Sequence, residues 1–177
     1  MYKVILVDDE QWSIIDMKKS FPFESMGFEI IGTYQNPVEA LISILNHKPD
    51  LVLTDIRMPN LTGIDLMQKI REYGLQTEII VISGYSDFEF AKQAITYGAI
   101  GYCLKPIDTK EAIDLMLKVK KSLDLAEQRS SSHTSNSETM APTVNMNFQL
   151  MVDYIDKNYS EKLSLNQLSE QFSVVIL

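Results

Sequence analysis

The chain has 177 residues, of which 45% are hydrophobic and 23% charged, proportions that suit a folded globular protein and exclude disorder along the whole length. Sixteen Lys and Arg stand against 24 Asp and Glu, for a formal net charge of −8, which argues against a surface built mainly to hold nucleic acid. Residues 1–128 carry net −6 and residues 129–177 net −2, no apolar run is long enough to span a bilayer, and the single cysteine, Cys103, leaves no internal disulfide, as expected in the cytoplasm.

The start, Met1-Tyr2-Lys3-Val4-Ile5-Leu6-Val7, runs straight into Asp8, Asp9 and Glu10 without a small-residue cleavage site. It reads as a first strand over Lys3–Val7, not a secretory leader. Ile14, Met17 and Phe21 then recur at helical spacing, and a second strand is expected around Phe28–Thr33. Asn36-Pro37 supplies an N-cap with proline at the first helical position. Val38, Leu41, Ile42 and Leu45 continue that helix on one face, and His47 ends it as a solvated residue favoured by the helix dipole. Leu51-Val52-Leu53 is a third strand ending at Thr54-Asp55, followed by a helix from about Gly63 to Tyr73 that Gly74 stops. Ile79–Ile82 forms the fourth strand; Ser86 with Glu89 makes a capping box for a helix ending near Gly98. Ile100–Leu104 is the fifth strand, with Cys103 read as a small buried apolar residue. Asp108 with Glu111 caps a last helix reaching about Gln128. Ala112, Met116, Val119, Leu123 and Ala126 keep a 4-3-4-3 spacing along it, which suits a core face and would also suit pairing with a second copy.

Strands alternating with helices predict an α/β domain of doubly wound, flavodoxin-like (βα)5 form around a parallel sheet, its strands apolar on both faces. Composition changes after Arg129. Residues 130–147 hold five Ser, three Thr and three Asn and read as flexible linker. Phe148, Val152 and Ile155 share a helical face, and Ser164 with Gln167 caps a second short helix carrying Leu165, Leu168 and Phe172. Two such helices cannot bury a core alone. The expected divisions are 1–128, 129–147 and 148–177.

Ligands of open α/β sheets bind outside the carboxyl ends of the strands. Asp8 and Asp9 end the first strand, Asp55 the third, Ser83 the fourth and Lys105-Pro106 the fifth. Three carboxylates converging on one edge repel one another unless a cation lies between them, and oxygen-only ligands suit Mg²⁺. Lys105 adds a compact positive charge and Ser83 a hydroxyl. Together these groups describe a site that phosphorylates a carboxylate, with Asp55 as nucleophile.

Ile5-Leu6-Val7-Asp8-Asp9-Glu10, Leu51-Val52-Leu53-Thr54-Asp55-Ile56-Arg57-Met58-Pro59, Ile82-Ser83-Gly84 and Tyr102-Cys103-Leu104-Lys105-Pro106 resemble the receiver domain of two-component response regulators, the CheY-like superfamily, over about residues 1–125. The resemblance implies strand order 2-1-3-4-5 and a sensor histidine kinase that phosphorylates Asp55. It implies that Asp9, Asp55 and the Arg57 backbone carbonyl ligate Mg²⁺ directly, with Asp8 acting through water. Ser83, Gly84 and Lys105 would contact the phosphoryl group, Ser83 and Tyr102 would form the switch, and the Lys105-Pro106 bond would be cis. Such a domain is a signalling module and not an enzyme in the ordinary sense. A haloacid dehalogenase type of phosphatase wants a second Asp two residues after the nucleophile, where Arg57 stands, and an acidic first loop would repel a flavin phosphate.

Ser83-Gly84-Tyr85-Ser86-Asp87-Phe88-Glu89-Phe90-Ala91 resembles receivers joined to AraC-type DNA-binding domains. Tyr154-Ile155-Asp156-Lys157-Asn158-Tyr159 with Leu163-Ser164-Leu165-Asn166-Gln167-Leu168-Ser169 looks like the opening of such a domain, although an ordinary amphipathic helix pair would read alike. The recognition helix that major-groove readout requires would follow Phe172, but Val174–Leu177 does not continue the pattern, so a premature stop, a frameshift or a fragment is expected. On this reading the 177 residues accept phosphate and could form a homodimer, while DNA binding belongs to a full-length form. The rival reading is a stand-alone receiver working through protein contacts or as a phosphate sink.

Overall fold

A computed structural model describes residues 1–84 and 88–132, with the side chains of residues 88, 89 and 129–132 left aside. The Ser86–Glu89 cap, His133, most of the linker and the helices expected over 148–177 lie outside the described residues. Five strands and five helices alternate: β1 (Tyr2–Val7), α1 (Gln11–Ser20), β2 (Phe28–Tyr34), α2 (Pro37–His47), β3 (Leu51–Asp55), α3 (Gly63–Glu72), β4 (Glu78–Ser83), α4 (Phe88–Thr96), β5 (Gly101–Leu104) and α5 (Thr109–Ser132). The sheet is parallel throughout, as the alternation of strands and helices predicts, and its order is 2-1-3-4-5, as the resemblance implies. Ile31 is the extra residue where β2 slips against Val4 and Ile5 of β1.

Alternation along the strands divides the core in two. Val4, Leu6, Leu51, Leu53, Ile80, Ile82 and Cys103 point to the side covered by α1 and α5. Ile5, Val7, Val52, Ile79 and Val81 point to the side covered by α2, α3 and α4. With both faces covered, the buried positions of β1, β3 and β4 are nearly all apolar. Asp8, Asp55, Ser83 and Lys105 lie at or just past the carboxyl ends of β1, β3, β4 and β5, all at one edge because the strands are parallel.

Local chemistry sets the helix ends. Asn36 Oδ1 accepts from the Val38 N–H at 2.9 Å, and Asp108 Oδ1 accepts from the Glu111 N–H at 3.0 Å. Thr62 and Asp65 form a reciprocal capping box for α3. Gly74 and Gly98 both take positive φ past the ends of α3 and α4. Phe21 is not part of α1; the chain turns extended there, yet its ring stays buried. His47 is exposed at the end of α2 with Nδ1 3.0 Å from the Ser43 carbonyl. Ala112, Met116, Val119 and Leu123 are core residues and Ala126 is exposed, so the regular spacing serves packing as far as Leu123. α5 extends to Ser132, four residues past its expected end, since no glycine or proline interrupts it.

Arg71, near the end of α3, ties two loops together. Its Nε donates to the Tyr97 carbonyl at 3.0 Å, Nη2 to Gly98 at 3.1 Å, and Nη1 to Leu75 and Thr77 at 3.1 and 2.8 Å. Burial works against its charge and pulls its pKa down, yet four carbonyl acceptors match the fork of donors. Arg71→Met strands those carbonyls, and urea unfolding should show a loss of about 2 kcal/mol; a change within the scatter of surface substitutions would remove this role.

Candidate functional site

The carboxyl edge of the sheet gathers Asp8, Asp55 and Lys105. Lys105 Nζ lies 2.8 Å from Asp8 Oδ2 and 2.7 Å from Asp55 Oδ1, and 3.1 Å from Ser13 Oγ. The remaining carboxylate oxygens meet main-chain donors: Glu10 N–H to Asp8 Oδ1 at 2.9 Å and Arg57 N–H to Asp55 Oδ2 at 2.6 Å. Asp8 is 0% exposed and Asp55 6%. Burial raises the Asp8 pKa, against the lowering effect of its hydrogen bonds to Lys105 and the Glu10 N–H. Burial opposes the Lys105 charge, but its hydrogen bonds to Asp55 and Asp8 outweigh that and leave its pKa raised. The ammonium is thus held charged between two carboxylates that would otherwise repel.

Backbone contacts fix this geometry. The Lys105 N–H donates to the Ser83 carbonyl at 2.7 Å, pairing the ends of β4 and β5, and Lys105-Pro106 is cis, as expected. Thr54 Oγ1 donates to the Asp55 carbonyl at 2.9 Å. Gly63 opens α3 so close to Asp55 that a Cβ there would overlap the Asp55 carbonyl oxygen.

Of the residues singled out in sequence, Asp8, Asp55 and Lys105 are brought into direct contact. Ser83 is buried at the same edge, Gly84 is exposed beside it, and Tyr102 is half-buried against the α2–α4 side of the core. Arg57 touches Asp55 through its N–H. Asp9 is half-buried, with its carbonyl accepting from Gln35 Nε2 at 3.1 Å. Among the described residues no three acidic, histidine or cysteine side chains form a metal nest; two carboxylates close on Lys105 instead. The buried Asp8 and Asp55 carboxylates are still donors of the kind a hard cation takes. Cys103 is buried, and its thiol is pushed up to about 12, first by burial and then by Glu111, which fits a packing role. Ser13 carries no sequence signal for the site, since a serine in the first turn of an amphipathic helix is ordinary.

A parallel 2-1-3-4-5 sheet with a lysine-bridged carboxylate pair at its carboxyl edge defines a receiver-type signalling domain. Residues 4–117 match the response regulator receiver domain model, and the chain belongs to that family. Over 180 aligned residues it is 32% identical to the transcriptional regulatory protein HptR of Staphylococcus aureus, covering 98% of this chain and 71% of HptR. It is 36% identical over 168 residues to a response regulatory protein of Staphylococcus epidermidis, covering 93% of this chain and 62% of that protein. The chain therefore spans about two thirds of these relatives. Among solved structures, the receiver domain of AraT from Geobacillus stearothermophilus superposes with a TM-score of 0.67 at 31% identity, over 71% of this chain and 98% of that one. A chain of the CheX–CheY–BeF3–Mg²⁺ complex from Borrelia burgdorferi gives 0.59 at 29% identity, over 69% and 89%. No described helix is long and apolar enough to cross a membrane.

Proposed function

We propose that this chain is a cytoplasmic response regulator that accepts a phosphoryl group on Asp55 from a sensor histidine kinase, and that its receiver controls an AraC-type DNA-binding output. The carrying observation is the Asp8–Lys105–Asp55 contact, a buried nucleophile held beside a cation. In the reaction an Asp55 carboxylate oxygen attacks phosphorus, the bond from phosphorus to the donor nitrogen breaks, and the electron pair leaves with the imidazole. Lys105 would follow the negative charge from carboxylate to phosphoryl oxygen, and Ser83 and the backbone at Gly84 would bind the remaining oxygens. Mg²⁺, held by Asp9, Asp55 and the Arg57 carbonyl with Asp8 behind it, would neutralise charge on the phosphoryl group. Likeness to HptR over nearly the whole chain supports an output region continuing beyond residue 128.

Acetyl phosphate with Mg²⁺ should add one phosphoryl group to the intact protein, read by mass spectrometry. Asp55→Asn should abolish it. Equal labelling of that variant would move the acceptor elsewhere.

A further inference from the structure

Helix α4 is held differently along its length. Its second half is anchored by the fully buried Ala94, by Tyr97 Oη donating to Gln68 Oε1 at 3.2 Å, and by Arg71 on the Tyr97 and Gly98 carbonyls. In its first half, the half-buried Phe90 lies beneath the Arg57 guanidinium, whose Cζ is 5.2 Å from the ring centre. The same Arg57 donates its N–H to Asp55 Oδ2 at 2.6 Å. One residue thus grips the reactive carboxylate through its main chain and α4 through its side chain.

We infer that the Arg57–Phe90 contact is a latch that holds the first half of α4 to the Asp55 loop, and that a phosphoryl group on Asp55 releases it. The inference rests on the proposed phosphorylation. Converting the carboxylate to an acyl phosphate turns a charged acceptor into a weaker one, loosening the Arg57 N–H bond. The phosphoryl oxygens then compete with the ring for an exposed guanidinium, and a charge-assisted hydrogen bond outweighs an exposed cation–π contact. Because two Arg71 hydrogen bonds and the Tyr97 hydroxyl bond hold the Tyr97–Gly98 end, the released helix pivots there.

Amide hydrogen exchange on the intact chain tests this with Arg57→Gln, which removes the cation, and Phe90→Leu, which keeps apolar bulk. Each single variant should speed exchange at Lys92, Gln93 and Ala94 about threefold without phosphate, leaving Tyr97, Gly98 and Ala99 unchanged. The double variant should go no further, and phosphorylation should speed the same amides in the parent but add nothing in Phe90→Leu. Unchanged exchange in either single variant, or additive rises in the double, overturns the latch. Failure of acetyl phosphate to label the parent overturns the Asp55 reading and the release step, while the unphosphorylated comparison still decides whether the contact holds α4.

Discussion

Gly63→Ala should destabilise the domain by about 3–4 kcal/mol, at the upper end of overpacking effects. The new methyl would meet the Asp55 carbonyl oxygen, its carbon and the Ile56 Cα. These are main-chain atoms at the end of a central strand, so no side chain can turn aside. The Asp55 carbonyl already accepts from Thr54 Oγ1, and the Gly63 N–H donates to the Ile56 carbonyl at 2.9 Å. Relief therefore means moving the loop that aims the Asp55 carboxylate, and phosphoryl labelling should fall along with stability. Gly74→Ala is the comparison: Gly74 has positive φ but open space around it, so that variant should lose only about 1–2 kcal/mol. Urea unfolding followed by circular dichroism ranks the two, and equal losses would mean that close approach at Gly63 is not the constraint.

The contrast shows what the sequence could carry. A run such as Leu51–Asp55 reveals a strand, its burial on both faces and its polar end together, and a parallel sheet then brings Asp8, Asp55 and Lys105 to one edge. Asn36-Pro37 and Asp108 with Glu111 are caps whose partners lie within three residues, so spacing alone finds them. Arg71 meets carbonyls 26 and 27 residues away, and an arginine in the last turn of a helix looks like any solvated one. Ser13 and Gly63 act through proximity that only the folded sheet creates. Thr62 and Asp65 were legible in principle, but Asp in place of Glu or Gln makes the capping signal easy to pass over. Asp9 shows the opposite limit: strand-end position predicts three converging carboxylates, whereas Lys105 draws in two.

Lys105 and Asp8 should give substitutions of opposite sign. Lys105→Met leaves Asp8 and Asp55 facing each other in a buried edge without their shared cation, and stability at pH 7 should fall by about 3 kcal/mol. Asp8→Asn removes one of two repelling charges, keeps an acceptor oxygen and leaves Lys105 paired with Asp55, so stability should rise, on the order of 1 kcal/mol. The pH dependence follows from the native shifts. The Asp8 pKa is raised above 3.8 by burial, so on acidification the native state takes up that proton before the unfolded chain does. The cost of ionised Asp8 is thus present at neutral pH and disappears as pH falls through its native pKa toward 3.8, and with it the advantage of Asp8→Asn. The Lys105 pKa is raised above 10.5, so its contribution is full below that value and is lost as pH rises through its native pKa; Lys105→Met should lack this alkaline loss. Thermal melts across pH give both profiles. Both variants should label poorly with acetyl phosphate, one lacking the cation that follows the phosphoryl charge and the other a carboxylate of the proposed Mg²⁺ site. If Asp8→Asn instead lost as much stability as Lys105→Met, the trio would be a net stabilising ion cluster rather than an edge held under repulsion for the proposed phosphoryl transfer.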